Sequence, residues 1–302
     1  MSTADELDLV LTAADLEGNP WMQTDSAPVY RHDPELLAHL MEIPVKDRAT
    51  TQSGRVAKSV DAWIAHEFRR AGFDPDAVWP RAAAPRVLPV EIRKLLTELP
   101  SEAEAALLKQ VMRIPSVAPK DARFLGRAYD KQVDVAMSDW STGPELLVST
   151  KLMTASFGKN LSNRFEEAYG DAGNLRFRYP LAAVGFLFLQ HASIVEKEPA
   201  TFERSVDMMR KLRDRGDGNG YTATCLILAD WDVDDPSSGV TILPAAERGH
   251  STLTPNGTVP ADLGPEQFFE KLINGILEAA PVSYHVHARE KLAGRHLAQA
   301  DD

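Results

Sequence analysis

Two short segments hold a carboxylate, a hydroxyl and an ammonium whose spacing would bring them together. "KQVDVAMS" (131–138) carries Asp134, and "LLVSTKLM" (146–153) carries Ser149 and Lys151. The first alternates, with Val133, Val135 and Met137 on one side and Asp134 and Ala136 on the other, as a half-buried strand does. The second is an apolar strand interrupted by a hydroxyl and an ammonium two residues apart, hence on one face. "DWSTGPE" between them reads as a turn. With Thr142 and Gly143 at its tip, the register places Asp134 directly opposite Lys151, where Cβ atoms come within roughly 4.5–5.5 Å. A carboxylate there suits a divalent cation, which polarises a phosphate and acidifies a bound water. A neighbouring lysine orients that water and offsets charge in the transition state. An ordinary cross-strand ion pair is the plainer reading of the same two residues.

The elements around this pair decide how it is presented. "SGRVAKSVDAWIAHEFRRAGFDP" (53–75) reads as an amphipathic helix, with Val56, Val60, Ile64 and Phe68 four apart and Gly72 and Pro75 ending it. Asp61 and Glu67 are its acidic candidates. "AVWPRAAAPRVLP" (77–89) is a connector, and 89–114 reads as two helices broken at Pro100. "SFGKNLSNRFEEAYGDA" (156–172) reads as a helix with Ser156 as N-cap and Phe157, Leu161, Phe165 and Ala168 or Tyr169 as its stripe. "LAAVGFLFLQ" (181–190) fits a buried strand or a buried helix, 201–215 a helix, "YTATCLILAD" (221–230) a buried strand and "GVTILP" a short one. "GPEQFFEKLINGILEA" and "VHAREKLAGRHLA" read as C-terminal helices. This order predicts an α/β protein with helices around a mixed sheet.

The order of helix, hairpin carrying Asp134, x-x-Lys151 and second helix resembles the PD-(D/E)XK nuclease superfamily, over about residues 53–230. The resemblance implies a restriction-endonuclease-like mixed β-sheet flanked by helices, with extra N- and C-terminal helical elements. It divides the chain into an N-terminal arm or small helical element (1–50), a nuclease-like core (51–245) with a helical insertion around 89–114, and a C-terminal extension (246–302). It implies Mg²⁺-dependent, or Mn²⁺-dependent, endonucleolytic cleavage of DNA, of the restriction and defence type. The superfamily's acidic residue two before the lysine is Ser149 here. Some restriction enzymes with a serine at that place carry the carboxylate on the following helix. Glu166 and Glu167, 15 and 16 positions after Lys151, are the residues so placed. The resemblance thus implies Asp134 and Glu166 as metal ligands, with Glu167 as the alternative. It gives Lys151 the attacking water, Ser149 a supporting place and Asp61 a place facing the site from the first helix.

Lys159, Asn163 and Arg164 beside the glutamates, and Arg127 and Lys131 before the first strand, are candidate DNA contacts. Residues 113–131 hold five bases against two acids, although the chain's net charge of −11 argues against generic nucleic-acid binding. Helix 89–112 and the C-terminal helices are expected to supply further DNA contacts or a dimer face. Cleavage of both strands makes a homodimer the expected assembly. A rival reading keeps the fold but drops the chemistry, leaving a DNA-binding or protein-assembly component of a defence system.

Other chemistries lack their residues. Cys225 is the only cysteine, so neither an intrachain disulfide nor a thiolate zinc cluster can form. No GxxxxGK[ST], GxGxxG after a strand or GxSxG occurs. "ADWDVDD" (229–235) and "HVH" (285–287) read as a solvated acidic loop and a helix start. The amino terminus has no basic segment ahead of its apolar residues, and "LAAVGFLFL" is too short to span a bilayer. The expectation is a soluble cytoplasmic protein with no membrane partner.

Overall fold

A computed structural model describes residues 3–49, 54–248 and 257–294, with side chains from residue 6 onward. The chain opens with α1 (Thr3–Ala13), the small hairpin β1 (Trp21–Met22) and β2 (Val29–Tyr30), then α2 (Pro34–Lys46), α3 (Arg55–Arg70) and β3 (Val78–Trp79). A helical arm follows, α4 (Val90–Thr97) and α5 (Ser101–Val111). Next come β4 (Ala122–Leu125), β5 (Asp130–Val133), β6 (Val135–Asp139), β7 (Gly143–Met153) and the long α6 (Phe157–Arg178). The remainder is β8 (Ala183–His191), α7 (Ile194–Lys197), α8 (Pro199–Arg213), β9 (Ala223–Asp230), β10 (Thr241–Ile242), α9 (Pro265–Ala279) and α10 (Val286–Leu292).

The central sheet has six strands in the order β10-β9-β8-β7-β6-β3. β7, β8 and β9 run parallel, and the outer pairings are antiparallel. The parallel strands are apolar on both faces, as burial on both sides requires. Leu146, Val148, Leu187, Leu189, Cys225 and Ile227 face one core, under α2, α3 and α9. Leu147, Val184, Phe186, Phe188, Leu226 and Leu228 face the other, under α6 and α8. Segment 181–190, open between helix and strand in the sequence, is therefore the fully buried central strand β8. Its nine residues form a strand because α6 and α8, the crossovers on either side of it, cover one face while α9 covers the other.

Three expectations change. Leu37, Leu40 and Met41 of α2 and Phe268, Phe269, Leu272 and Ile273 of α9 are wholly or almost wholly buried in the same core. The segments expected as an arm and an extension thus complete one face of the sheet. Ser156 stands at the N-terminus of α6 with φ 53° and makes no side-chain cap. Glu198 takes the Gly158 N–H instead, at 2.8 Å. The stripe of α6 runs through Phe157, Leu161, Ala168, Ala172 and Leu175, while Tyr169 is exposed. Ser53, at the head of the expected first helix, and 295–298, at the end of the last, lie outside the described residues.

The arm has its own small core of Leu88, Leu96 and Val111. Among the described residues no helix is long and apolar enough to cross a membrane.

Candidate functional site

The hairpin of β6 and β7 has a different register from the one expected. Asp139 accepts the N–H groups of Ser141 (2.6 Å) and Thr142 (3.3 Å), which fixes a three-residue loop, and Gly143 follows with φ +73°. A bulge between Met137 and Ser138 then shifts the pairing, so Val135 faces Val148 and the Asp134 N–H reaches the Val148 carbonyl at 2.9 Å. Asp134 therefore lies beside Ser149 and Thr150, and not opposite Lys151. The two strands separate here. β5 turns aside to pair with β4, and β7 continues beside β8 alone.

The Asp134 carboxylate fills the gap. Its Oδ2 accepts the Thr150 backbone N–H at 2.8 Å, standing in for the missing strand. Thr150 faces the α3 side, and its hydroxyl donates to Asp61 Oδ1 at 2.6 Å. One threonine thus holds a strand carboxylate and a helix carboxylate. Burial pushes the Asp61 carboxyl well above its ordinary value, and the nearby Asp134 charge adds to this. Burial also raises Asp134, partly offset by the Thr150 N–H and the charges of Lys151 and Lys131. Burial is thus the main reason these two neighbouring carboxyls resist ionising, and Lys58 offsets part of it at Asp61.

Lys151 projects to the opposite face, toward α6. Its Nζ donates to Glu167 Oε1 at 2.8 Å. Lys131 Nζ lies 3.7 Å from the same oxygen and pairs closely with Asp171, and Arg164 adds a contact to Glu167 at 3.5 Å. Burial acts to raise Glu167, but the Lys151 hydrogen bond and the three cations hold it below its ordinary value. Glu166, the first choice from the sequence, is exposed and makes none of these contacts. The stripe explains this. Because it passes through Ala168 instead of Tyr169, Glu167 flanks the sheet and Glu166 falls on the far side of the helix. Ser149 is buried beside Lys151.

The DNA-contact candidates divide. Lys159 and Asn163 are exposed on α6, two turns and one turn before Glu167. Arg164 and Lys131 are engaged with Glu167, as described. Arg127 stacks over the Phe177 ring with its guanidinium carbon 3.7 Å from the centroid. Its loop is clamped on α6 by Asn174, which accepts from the Ala128 N–H (2.8 Å) and donates to the Tyr129 carbonyl (3.0 Å).

Glu67, on the same helix as Asp61, has no part in this site. It is buried, accepts from Tyr30 and from the Asp33 N–H, and pairs with Arg70. "ADWDVDD" closes on itself, with Asp232 accepting the N–H groups of Asp234 and Asp235. His285 binds Glu145 at 3.0 Å. Among the described residues no group of three or more His, Cys, Asp or Glu side chains is placed to hold a metal ion. Thr150, Asp171 and Asn174 were not singled out in the sequence. The usable signal for Thr150 was an acidic residue, Asp61, set among the apolar positions of a core helix, which requires a polar partner on the facing strand.

The exchange of Glu166 for Glu167 can be tested directly. Glu167→Gln is expected to lower any phosphodiesterase activity by roughly 10-fold or more, through loss of the group that orients Lys151. Glu166→Gln is expected to match wild type in the same assay. Equal rates for both variants would remove Glu167 from the site.

The chain was compared with family models, curated proteins and solved structures, and no match was found.

Proposed function

We propose that this protein is a metal-dependent endonuclease that hydrolyses DNA phosphodiester bonds. The observation that carries this reading is the convergence of Asp134 and Asp61 on Thr150, one residue before Lys151, where the hairpin splits. The donor set fits a hard divalent cation such as Mg²⁺ or Mn²⁺. Such ions are held through one or two carboxylates, with water and substrate phosphate completing the shell. Asp134 and Asp61 would be the two, both held by Thr150. When bound, the cation supplies positive charge to the phosphate and lowers the pKa of a coordinated water.

The protein's own groups supply the rest. Thr150 fixes both carboxylates, through its N–H and its hydroxyl. Lys151, the next residue of β7, projects to the opposite, α6 face, where Glu167 sets the direction of its ammonium, and its charge acts on Asp134. Ser149, where the superfamily pattern has an acid, leaves Lys151 without a neighbouring strand carboxylate. That single observation favours the second reading, a DNA-binding or assembly protein of the same architecture without catalysis.

Plasmid DNA incubated with Mg²⁺ or Mn²⁺ separates the two. Wild type is expected to nick and linearise the plasmid, and Lys151→Ala to be slower by roughly 10²-fold or more. Retention of DNA on a filter without cleavage, alike for both proteins, selects the second reading. Neither cleavage nor retention at low salt, where phosphate contacts are strongest, rejects both.

A further inference from the structure

On the α3 side of the two carboxylates the surface falls into a recess of about 640 Å³, with Asp61 and Asp134 in its lining. That size lies in the roughly 300–1,000 Å³ range of sites that enclose a small molecule. Trp79, Pro80 and Val87 form one apolar wall, and Leu7 and Leu11 of α1 form another. The Trp79 ring is held rigidly. Its N–H donates to the Leu88 carbonyl at 2.9 Å, and Phe124 stacks with it at 6.4 Å and 23°. An ion pair of Asp8 with Arg86 ties α1 to the rim.

The recess also has polar and charged groups. Lys58 and Lys120 are exposed lining residues, and neither forms a salt bridge among the described residues. Gln132 is exposed on β5 and offers a donor and an acceptor. Apolar walls, exposed ammonium groups and carboxylates suited to a metal fit one chemistry. A planar, uncharged ring lies against the walls, while an attached phosphate stays outside near the cations. Proteins that enclose a single base take it out of the stack, so a ring held in this recess has left its helix.

Resting on the nuclease reading, we propose that this recess receives one unpaired nucleotide of the DNA strand whose neighbouring phosphate lies against Asp61 and Asp134. The nucleotide comes either from within a duplex, swung out of the stack, or from a frayed strand end. Either source makes the protein a reader of weak pairing. Unpairing costs least at a mismatch, so a mismatched base enters more readily than a paired one.

The test is a binding titration with short duplexes, each with a single mismatch moved in turn along its length. Lys151→Ala protein keeps the strands whole. Where the mismatch meets the recess, binding is expected to tighten by about 10-fold or more over the matched duplex. Gln132→Trp, which fills the opening from an exposed strand position, should abolish that gain while matched-duplex binding stays within about threefold. Lys120→Ala, a milder change, should reduce the gain without altering the melting temperature. Gain at internal mismatches identifies the swung-out source, and gain confined to terminal mismatches the strand end. Gain at no position, or full gain in both recess variants, overturns the proposal. Plasmid cleavage by wild type is scored alongside. Cleavage without mismatch gain removes the recess alone, whereas absence of both binding and cleavage removes the nuclease reading with it.

Discussion

Asp61→Asn is expected to destroy activity and to make the protein more stable at neutral pH. The two effects have one origin. Asp61 accepts a single hydrogen bond, from the Thr150 hydroxyl, and faces the Asp134 charge in a buried setting. Its folded-state pKa stands well above the unfolded one. A carboxyl raised in this way favours folding below its unfolded pKa, near 3.8, and loses that contribution as pH rises through the folded value. The higher the pH, the more of that contribution the wild type has lost to burial of the Asp61 carboxylate beside Asp134. Asparagine keeps the oxygen that Thr150 needs and carries no charge. Relief of about 1–2 kcal/mol is typical of removing functional strain, and a chain of this size gains roughly 2–4 °C per kcal/mol. Thermal melts from pH 4 to 8 should show the Asn variant pulling ahead as pH rises. Mg²⁺ should raise the wild-type melting temperature and leave that of the variant unchanged. A variant that is less stable than wild type at pH 8 would show that the carboxylates are not in conflict.

The second large effect is structural. Arg70→Ala should cost roughly 3–5 kcal/mol, because it strands a buried carboxylate. Glu67 has no exposed surface, and Arg70 donates to both of its oxygens, at 2.9 and 2.7 Å. The remaining partners, the Tyr30 hydroxyl and the Asp33 N–H, carry no formal charge. This cluster joins α3 to β2 and to the start of α2, so its loss loosens the layer that carries Asp61. Glu67→Gln in the Arg70→Ala background should recover much of the loss, since the buried group is then neutral. Denaturant midpoints for the two single variants and the double variant measure the coupling. A loss below about 1 kcal/mol for Arg70→Ala would mean that water reaches Glu67 in its place.

The order and type of most elements were legible in the sequence because hydrophobic period is a local property. Val56, Val60, Ile64 and Phe68 announce α3, whereas the single strand expected over 131–138 is two, β5 and β6, broken at Asp134, with Val133 in the α6-side core and Val135 and Met137 in the other. The register was not legible. It rests on a side-chain turn at Asp139 and a bulge after Met137, and a shift of this kind moves the residue opposite Asp134 from Lys151 to Ser149 and its neighbour Thr150. The choice between Glu166 and Glu167 depended on which of Ala168 and Tyr169 the sheet covers. The smaller residue lies under the tightly packed β8, and tertiary packing alone decides that. Asp61 was legible as a candidate, but its partner Thr150 was hidden, because Ser149 and Lys151 drew attention to the other face of the same strand.

Asp134 has one more consequence, for solubility. Beyond Val148, strand β7 pairs with no strand on its β6 side among the described residues, and the Asp134 carboxylate occupies the Thr150 amide there, which would otherwise invite an additional strand. It works as a polar stopper on an open sheet margin, a position where foreign strands otherwise dock. Asn at this position retains the hydrogen-bonding oxygen, whereas Ala uncovers the Thr150 amide beside Leu152. Loss of activity in Asp134→Ala would therefore mix lost chemistry with self-association, and Asp134→Asn is the cleaner probe of catalysis.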